Sequence, residues 1–348
     1  MGELSNAPET LKHGPMHWER RISGCLAAAG MALAALHLPS LCRDAYAAPR
    51  LILAAQSAGT TSSTTSPTAP AHPPSQSRPS AKSATPHDTQ SPPLVRSQIA
   101  LVEDANTSEV LLEKNADKVV PIASITKLMT AMVVLDAKLP LEEVLKISDE
   151  DRDTVMRTTS RLNVGWSLTR EDMLHLALMS SENRAAAALS RYYPGGRPAF
   201  IAAMNAKAGE LGMTHTHFVN PNGLTNENIS TAYDLVKLVQ AAYQYPLIRE
   251  FSTDPGCEFQ IGKVTLSYVN SNRLVGRVDW DIQVQKTGFT NEAGRCLVMR
   301  VNLDGRPVIM IFLDAYGKLT RFADARRVRM MLAQKQKSRS QETGVRSQ

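Results

Sequence analysis

From about residue 95 onward, the hydrophobic and polar positions follow periods that predict secondary structure. Short apolar runs bounded by turn residues indicate strands, and apolar positions that recur every three to four residues indicate helices. Strands are predicted at residues 99–103, 110–113, 280–287, 295–302 and 307–314. Helices are predicted at residues 124–135, 168–178, 183–193, 199–211, 231–243 and 319–332. Because strands occur at both ends with helices between them, we expect an α+β, three-layer fold. The first hairpin and the last three strands should join one antiparallel sheet.

The N-terminal 47 residues have the pattern of a secretory signal peptide. Arg20 and Arg21 precede an apolar stretch at residues 22–41, and Ala45-Tyr46-Ala47 supplies the small residues that a signal peptidase requires. We therefore predict cleavage after Ala47 and a mature protein in the periplasm. The alternative is a retained membrane anchor, which is disfavoured because two glycines and a proline interrupt the apolar stretch.

Two further segments lack the residues needed for a core. Residues 55–93 contain no Val, Ile, Leu, Met, Cys or aromatic residue, and 30 of these 39 residues are Ser, Thr, Pro or Ala. Such a composition cannot offset chain entropy, so residues 48–94 are predicted to be a disordered linker. Residues 334–348 are polar and basic without an apolar face and are predicted to be a disordered tail. The folded domain is therefore expected at residues 95–333.

Charge and ligand-type residues exclude several function classes. The net charge of +6 is carried mainly by the linker and the tail, whereas residues 95–333 contribute only +1, so we predict no nucleic-acid binding. Because the tail after Gln334 has no amphipathic stripe, we also predict no stable membrane anchor after cleavage. His215 and His217 have no third ligand at suitable spacing, and we predict neither a metal nor a cofactor. A disulfide between Cys257 and Cys296 is left open.

The first candidate motif for chemistry is Ser124-Ile125-Thr126-Lys127. A spacing of three residues places the hydroxyl and the amine on one helix face, one turn apart. Desolvation among apolar neighbours should lower the pKa of Lys127, so that the amine can act as the base that activates the Ser124 hydroxyl. The alternative is an N-cap serine beside a lysine that extends along an apolar surface.

Two other motifs follow in the chain. In Ser181-Glu182-Asn183, the hydroxyl can relay a proton and the asparagine amide can hold both a lysine and a substrate amide. In Lys286-Thr287-Gly288, the cation and hydroxyl can bind a carboxylate, and glycine permits close approach of an extended peptide. The backbone N–H groups of Ser124 and Phe289 are the candidate oxyanion hole. The alternatives are ordinary helix-capping residues for the second motif and a turn before a hairpin for the third.

These three motifs, in this order, resemble those of the low-molecular-mass penicillin-binding proteins, which are serine D-Ala-D-Ala peptidases. The runs at residues 121–136, 173–181, 193–196, 200–207, 218–224 and 286–299 are most similar to the D-alanyl-D-alanine endopeptidases of the penicillin-binding protein 7 type. Glu182 departs from the residue usually found in the middle of the second motif. The resemblance implies the serine β-lactamase/DD-peptidase fold, with an all-helical subdomain beside the antiparallel sheet.

The resemblance also implies roles for the motif residues. Ser124 would be the acylated nucleophile, Lys127 the general base, Ser181 the proton relay and Asn183 the organiser, while Lys286 and Thr287 would bind the substrate carboxylate. The expected reaction is hydrolysis of D-Ala–diaminopimelate cross-links in peptidoglycan, with β-lactams as covalent inhibitors. A D-Ala-D-Ala carboxypeptidase is the alternative. A β-lactamase and a non-catalytic peptidoglycan-binding scaffold are less favoured, because no Glu-x-x-Leu-Asn run follows Asn183 and all three motifs are intact.

Overall fold

The computed structural model describes residues 94–345, with side chains to residue 338. The predicted signal peptide at residues 1–47 and the linker residues 48–93 lie outside this range. Within it, the strands are β1 Ile99–Asp104, β2 Val110–Lys114, β3 Val120–Pro121, β4 Val144–Lys146, β5 Ser167–Thr169, β6 Ile229–Ser230, β7 Gly256–Ile261, β8 Val264–Val269, β9 Asp281–Thr290, β10 Gly294–Leu303 and β11 Arg306–Ala315. The helices are α1 Lys127–Asp136, α2 Arg170–Met179, α3 Asn183–Arg191, α4 Gly196–Glu210, α5 Ala232–Ala242, α6 Pro246–Thr253 and α7 Thr320–Val345.

The largest sheet has the strand order β2-β1-β11-β10-β9, and all its neighbouring strands are antiparallel. The prediction that the first hairpin and the last three strands share one sheet is therefore confirmed. Strand β9, which carries the third motif, lies at one edge. An edge strand leaves one row of backbone N–H and C=O groups without a partner strand, so a peptide can pair with it.

Helices cover both faces of this sheet, as the three-layer prediction required. In β11, Ile309, Ile311 and Leu313 pack into one core with the helical subdomain, whereas Val308, Met310 and Phe312 pack into a second core under α7. Successive side chains of a strand point to opposite faces of the sheet. Because both faces are buried, the sequences of these central strands are continuous apolar runs.

Helix α7 covers the second face through residues that recur along one side of the helix. Phe322, Ala325, Val328 and Leu332 are buried against the sheet, and full burial of a large apolar side chain is worth about 1.5–3 kcal/mol. The structure differs from the predicted end of this element, because the helix continues to Val345 instead of giving way to a disordered tail at residue 334. Residues 334–343 contain helix-forming Gln, Lys, Arg and Glu and no glycine or proline, so helical hydrogen bonding can continue beyond the packed segment.

The helical subdomain packs around α1, which follows directly from the first motif. Its residues Leu128, Met129, Ala131 and Met132 are fully buried in the larger core. Helices α2, α3, α4, α5 and α6 all contact α1. This arrangement places the start of α1 between the helical subdomain and the edge strand β9.

No helix within residues 94–345 combines the length and the hydropathy that crossing a membrane would require. The disulfide left open between Cys257 and Cys296 is absent, since Cys296 is a free, buried thiol.

Candidate active site

Ser124 lies on a tight turn at the start of α1. A 3₁₀ turn, Ala123–Thr126, precedes the α-helix, and all of its residues are buried. Ala123 has a φ of 46°, a left-handed conformation that is uncommon for a residue with a side chain. Such strain persists only where the surroundings hold it, and it is concentrated at functional sites. The turn leaves Ser124 just accessible, at 9% of its full exposure.

Lys127 is completely buried and directs its amine at Ser124. Its Nζ atom donates hydrogen bonds to Ser124 Oγ at 2.8 Å, to Asn183 Oδ1 at 2.7 Å and to the carbonyl oxygen of Asn222 at 2.7 Å. Burial lowers the pKa of Lys127 to about 7, although the negative charge of Glu182 opposes part of this effect. An amine with this pKa can hold or release a proton near neutral pH, so the pair has the arrangement of a hydroxyl and its base.

The carbonyl of Asn222 is part of the site, a role that the sequence did not predict. It accepts from Lys127 and also lies 3.4 Å from Ser124 Oγ. A backbone carbonyl carries no residue-type signal, although residues 218–224 contributed to the resemblance. Asn228 fixes the loop by accepting from the backbone N–H groups of Val219 and Asn220.

Gly223 completes this loop and packs directly against the nucleophile turn. Its φ is +80°, and a Cβ atom added there would lie 2.0 Å from the carbonyl oxygen of Ala123 and 2.9 Å from the backbone nitrogen of Ser124. The residue must therefore be glycine for two reasons, the left-handed backbone and the absence of space.

The second motif reaches the site through Asn183, which lies at the start of α3 and accepts from Lys127. Ser181 also lies in this motif, with a left-handed backbone at φ 66°. Its hydroxyl makes no hydrogen bond with the part of the chain that the structure describes, so Asn183 is joined to the Ser124–Lys127 pair by direct contacts and Ser181 is not.

Glu182 and Asn183 together hold the segment that precedes β5. Glu182 Oε1 accepts from Ser160 Oγ at 2.6 Å and caps α3 by accepting from the backbone nitrogen of Arg184 at 3.2 Å. Asn183 Nδ2 donates to Thr158 Oγ1 at 3.2 Å. The segment is therefore attached to the second motif at two consecutive residues.

The third motif lies on the edge strand β9, against the nucleophile turn. At Gly288, an added Cβ would lie 3.1 Å from Ile122 O, Ala123 Cβ and Ser124 N, which is closer than an ordinary contact. Glycine therefore lets the strand approach the turn. Thr287 Oγ1 donates to Ser271 Oγ at 2.7 Å. Phe289 is half exposed beyond the motif, and its ring lies under the Arg295 guanidinium at 4.2 Å.

Lys286 is the second fully buried amine of the site. Its Nζ atom donates to the carbonyl oxygen of Thr287 at 3.0 Å. Burial lowers the pKa of Lys286 well below its ordinary value, and the positive charges of Lys127 and Arg321 lower it further. Burial also lowers the pKa of Arg321, to about 10. A nearby carboxylate would favour the protonated form of such an amine, so the arrangement is suited to an anionic ligand.

His215 and His217, the pair considered for a metal, are both exposed. Neither belongs to a group of three or more metal-ligand side chains within residues 94–338.

Comparison with known proteins shows which family the chain resembles. The D-alanyl-D-alanine carboxypeptidase family, peptidase S11, matches residues 86–317. The chain is 53% identical to a D-alanyl-D-alanine endopeptidase of Pseudomonas aeruginosa over 257 residues, which are 72% of this chain and 83% of that protein. It is 52% identical to a D-alanyl-D-alanine endopeptidase of Escherichia coli over 243 residues, which are 69% of this chain and 78% of that protein.

Solved structures agree with this similarity. A penicillin-binding protein of Listeria monocytogenes in its cefotaxime-bound form has a TM-score of 0.61 at 31% identity, covering 69% of this chain and 98% of that one. A D-alanyl-D-alanine carboxypeptidase of Mycobacterium tuberculosis has a TM-score of 0.62 at 28% identity, covering 71% of this chain and 94% of that one. The fold, the order of the motifs and the extent of the matches lead to one conclusion: the chain belongs to the D-alanyl-D-alanine carboxypeptidase family of serine peptidases, peptidase S11.

Proposed function

We propose that this protein is a periplasmic serine D,D-endopeptidase that hydrolyses D-Ala–diaminopimelate cross-links in peptidoglycan. The observation that carries the proposal is the 2.8 Å contact between the buried Lys127 amine and Ser124 Oγ. Burial lowers the pKa of that amine to about 7, which suits a base that works near neutral pH. The two endopeptidases that are more than 50% identical to the chain support the choice of substrate.

The first half of the reaction forms an acyl-enzyme. Ser124 Oγ attacks the carbonyl carbon of the D-alanine while Lys127 accepts the hydroxyl proton. The backbone N–H groups of Ser124 and Phe289 hold the oxyanion, and their approach depends on Gly288, where β9 packs against the nucleophile turn. As the C–N bond breaks, Lys127 gives up the proton that it accepted, and the departing amine receives it. The resemblance implies that Ser181 relays this proton, although its hydroxyl makes no hydrogen bond to Lys127 in this structure.

The second half of the reaction regenerates the enzyme. A water molecule gives a proton to Lys127 and attacks the ester carbon. The bond between that carbon and Ser124 Oγ then breaks, and Lys127 returns the proton to Ser124 Oγ. The products are the carboxylic acid of the donor peptide and the free amine released earlier. Asn183 holds Lys127 in position through both halves, with its Oδ1 atom 2.7 Å from the amine.

The substrate is held along β9. The free edge of this strand pairs with the extended peptide, while Lys286 and Thr287 bind the carboxylate next to the leaving amine. The crowding of Lys286 with Lys127 and Arg321 favours binding of a negative charge there. β-Lactams would acylate Ser124 in the same way, as is consistent with the relative whose structure contains cefotaxime.

Residues 95–333 would form the catalytic domain, and the signal peptide at residues 1–47 would direct it to the periplasm. The linker at residues 48–94 would give it reach toward the cell wall. A D-Ala-D-Ala carboxypeptidase is the second candidate. It is favoured by the family description and by relatives near 31% identity that carry that activity in their names.

The test uses residues 48–348 of the wild type, a Ser124→Ala variant and a Ser338→Ala control, which removes an exposed hydroxyl from α7. Each is incubated with purified cross-linked muropeptide dimers and with monomeric pentapeptide, and the products are followed by mass. Dimer cleavage that is lost only in Ser124→Ala supports the endopeptidase. Release of D-alanine from pentapeptide alone makes the protein a carboxypeptidase, and no product from either substrate favours a binding scaffold.

A further inference from the structure

Glu182 lies in the middle of the second motif, where the chain departs from the wider family. The residue is 92% buried, since its exposure is 8%. A buried carboxylate is costly unless its oxygen atoms are hydrogen-bonded or face a positive charge. Glu182 has both kinds of partner, and the two kinds lie on different parts of the active site.

The first set of partners belongs to a loop that we define as residues 158–162. Glu182 Oε1 accepts from Ser160 Oγ at 2.6 Å, and the Ser160 oxygen in turn accepts from the backbone nitrogen of Leu162 at 3.1 Å. The residues that follow Glu182 bind the same loop, because Asn183 donates to Thr158 and Arg184 donates to the carbonyl of Leu162. Three consecutive residues therefore hold the 158–162 loop against the second motif.

The loop also connects the second motif to the hairpin formed by β7 and β8. Arg161 donates from Nη2 to the carbonyl oxygen of Ser267 at 2.8 Å, and its guanidinium lies 4.1 Å from the centre of the Tyr268 ring. Displacement of the 158–162 loop would therefore disturb a wall that runs from the second motif to this hairpin.

The second interaction of Glu182 is electrostatic and involves the Lys127 amine. Glu182 precedes Asn183, whose Oδ1 atom lies 2.7 Å from the buried Lys127 amine of α1, and the negative charge of Glu182 raises the pKa of that amine. Two other titratable groups lie near this region. Lys286 on β9 repels Lys127. Burial raises the pKa of Tyr268 on β8, the negative charge of Glu182 raises it further, and the positive charge of Arg161 lowers it. Among the groups that influence Lys127, Glu182 supplies the negative charge.

We propose that Glu182 is a positioning residue of this active site, whose carboxylate holds the 158–162 loop against the second motif and places a negative charge next to Asn183, the residue that accepts from the buried Lys127 amine. The inference rests on the proposed function for its catalytic consequence. Within residues 94–338 the Glu182 carboxylate makes no hydrogen bond to Ser124 or Lys127, and its hydrogen bonds go to Ser160 and Arg184.

Two substitutions separate the two roles. Glu182→Gln keeps an oxygen that can accept from Ser160 and Arg184 but removes the charge. Ser160→Ala keeps the charge but removes the loop contact. Glu142→Gln is the control, because it removes one negative charge from an exposed position. All variants are made in the full chain, and their folding is checked by thermal unfolding.

The primary measurement is the titration of the Lys127 amine by NMR in lysine-labelled protein, with Lys127→Met providing the assignment. Loss of the facing charge should move this titration in Glu182→Gln to lower pH by about one unit. The acid limb of the rate of acylation by a fluorescent penicillin should move by the same amount. Ser160→Ala and Glu142→Gln should titrate like the wild type, and Ser160→Ala should lose hydrogen-exchange protection in the 158–162 loop.

An unchanged Lys127 titration in Glu182→Gln would overturn the electrostatic role, and wild-type protection of the loop in Ser160→Ala would overturn the positioning role. The amine titration needs no turnover, so it separates this inference from the proposed function. If the wild type reacts with neither penicillin nor muropeptide, the proposed function fails, while a shifted titration in Glu182→Gln still supports the role of Glu182.

Discussion

Replacement of Gly223 by alanine tests whether the loop at residues 220–223 fixes the position of the nucleophile. A Cβ atom at this position would lie 2.0 Å from the Ala123 carbonyl oxygen, and the backbone φ is +80°. Gly212 provides a matched control, because its φ is +67° but an added Cβ would meet no heavy atom within 4 Å. Both substitutions impose a left-handed backbone on alanine, and only Gly223→Ala creates an overlap with the nucleophile turn.

The two effects differ in size and in consequence. A left-handed backbone costs an L-residue about 1–2 kcal/mol, and each kcal/mol lowers the Tm of a domain of this size by roughly 2–4 °C. Gly212→Ala should therefore lower the Tm by roughly 2–8 °C without changing acylation. Real Cβ atoms essentially never approach another heavy atom within 3.0 Å, so Gly223→Ala must separate the two backbones by about 1 Å. A displacement of that size costs about 10²-fold in rate.

The assay compares the rate of penicillin acylation, followed by intact-protein mass, with the Tm from thermal unfolding. We expect Gly223→Ala to remain folded at 20 °C and to acylate about 10²-fold more slowly than the wild type. A Gly223→Ala protein that acylates at the wild-type rate, with a Tm no lower than that of Gly212→Ala, would refute the reasoning. That result would mean that the loop does not determine where Ser124 lies.

Three further predictions concern other groups of the site. Because burial lowers the pKa of Lys127 to about 7, acylation should fall about tenfold per pH unit below that value. Between about pH 7 and 10.5 the unfolded chain holds one more proton on Lys127 than the folded protein, so the contribution of this group to the free energy of unfolding should rise with pH; urea titrations of the wild type and Lys127→Met will show whether this slope depends on Lys127. Thr287→Val should reduce kcat/KM for pentapeptide by about 10–100-fold, because a hydrogen bond to a carboxylate is lost, and an unchanged value would exclude Thr287 from carboxylate binding. Burial raises the pKa of Cys296 to about 12, so peptide mapping after alkylation at pH 8 should find Cys296 modified only in denaturant; modification in the native protein would contradict its burial.

The elements that the sequence predicted correctly are those with a strong apolar period. Strands β9, β10 and β11 begin and end within three residues of the predicted bounds, and both faces of β10 and β11 are buried. The hairpin formed by β7 and β8 was not predicted. Most of β8 is not fully buried, and Tyr268 is its one buried residue, so the strand lacks a sustained apolar signal. The three-residue strands β4 and β5 are too short to show a period at all.

At the site, the sequence predicted a contact within one helical turn but not the contacts between residues far apart in the chain. The spacing of Ser124 and Lys127 was sufficient to predict their contact, because three residues make about one helical turn. The carbonyl of Asn222 belongs to a residue 95 positions away from Lys127, and only the tertiary fold brings it to the amine. The hydrogen bond between Glu182 and Ser160 likewise depends on how a loop folds back over α3, which no local pattern encodes.

The unfavourable features of this domain are concentrated at its active site. Lys127 and Lys286 are fully buried amines, and Ala123 and Ser181 have left-handed backbones next to motif residues. Each feature costs stability, and each has a chemical use. Burial lowers the pKa of Lys127, the proposed base, and encloses the Lys286 amine that is proposed to bind the carboxylate; the strained turn exposes the Ser124 hydroxyl. The two apolar cores that enclose the sheet offset these costs. It follows that substitutions relieving them, such as Lys286→Met, should raise the free energy of unfolding measured in urea as they abolish turnover. Burial lowers the pKa of this amine, so folding works against its protonation, whereas Met has no proton to lose and cannot bind the substrate carboxylate.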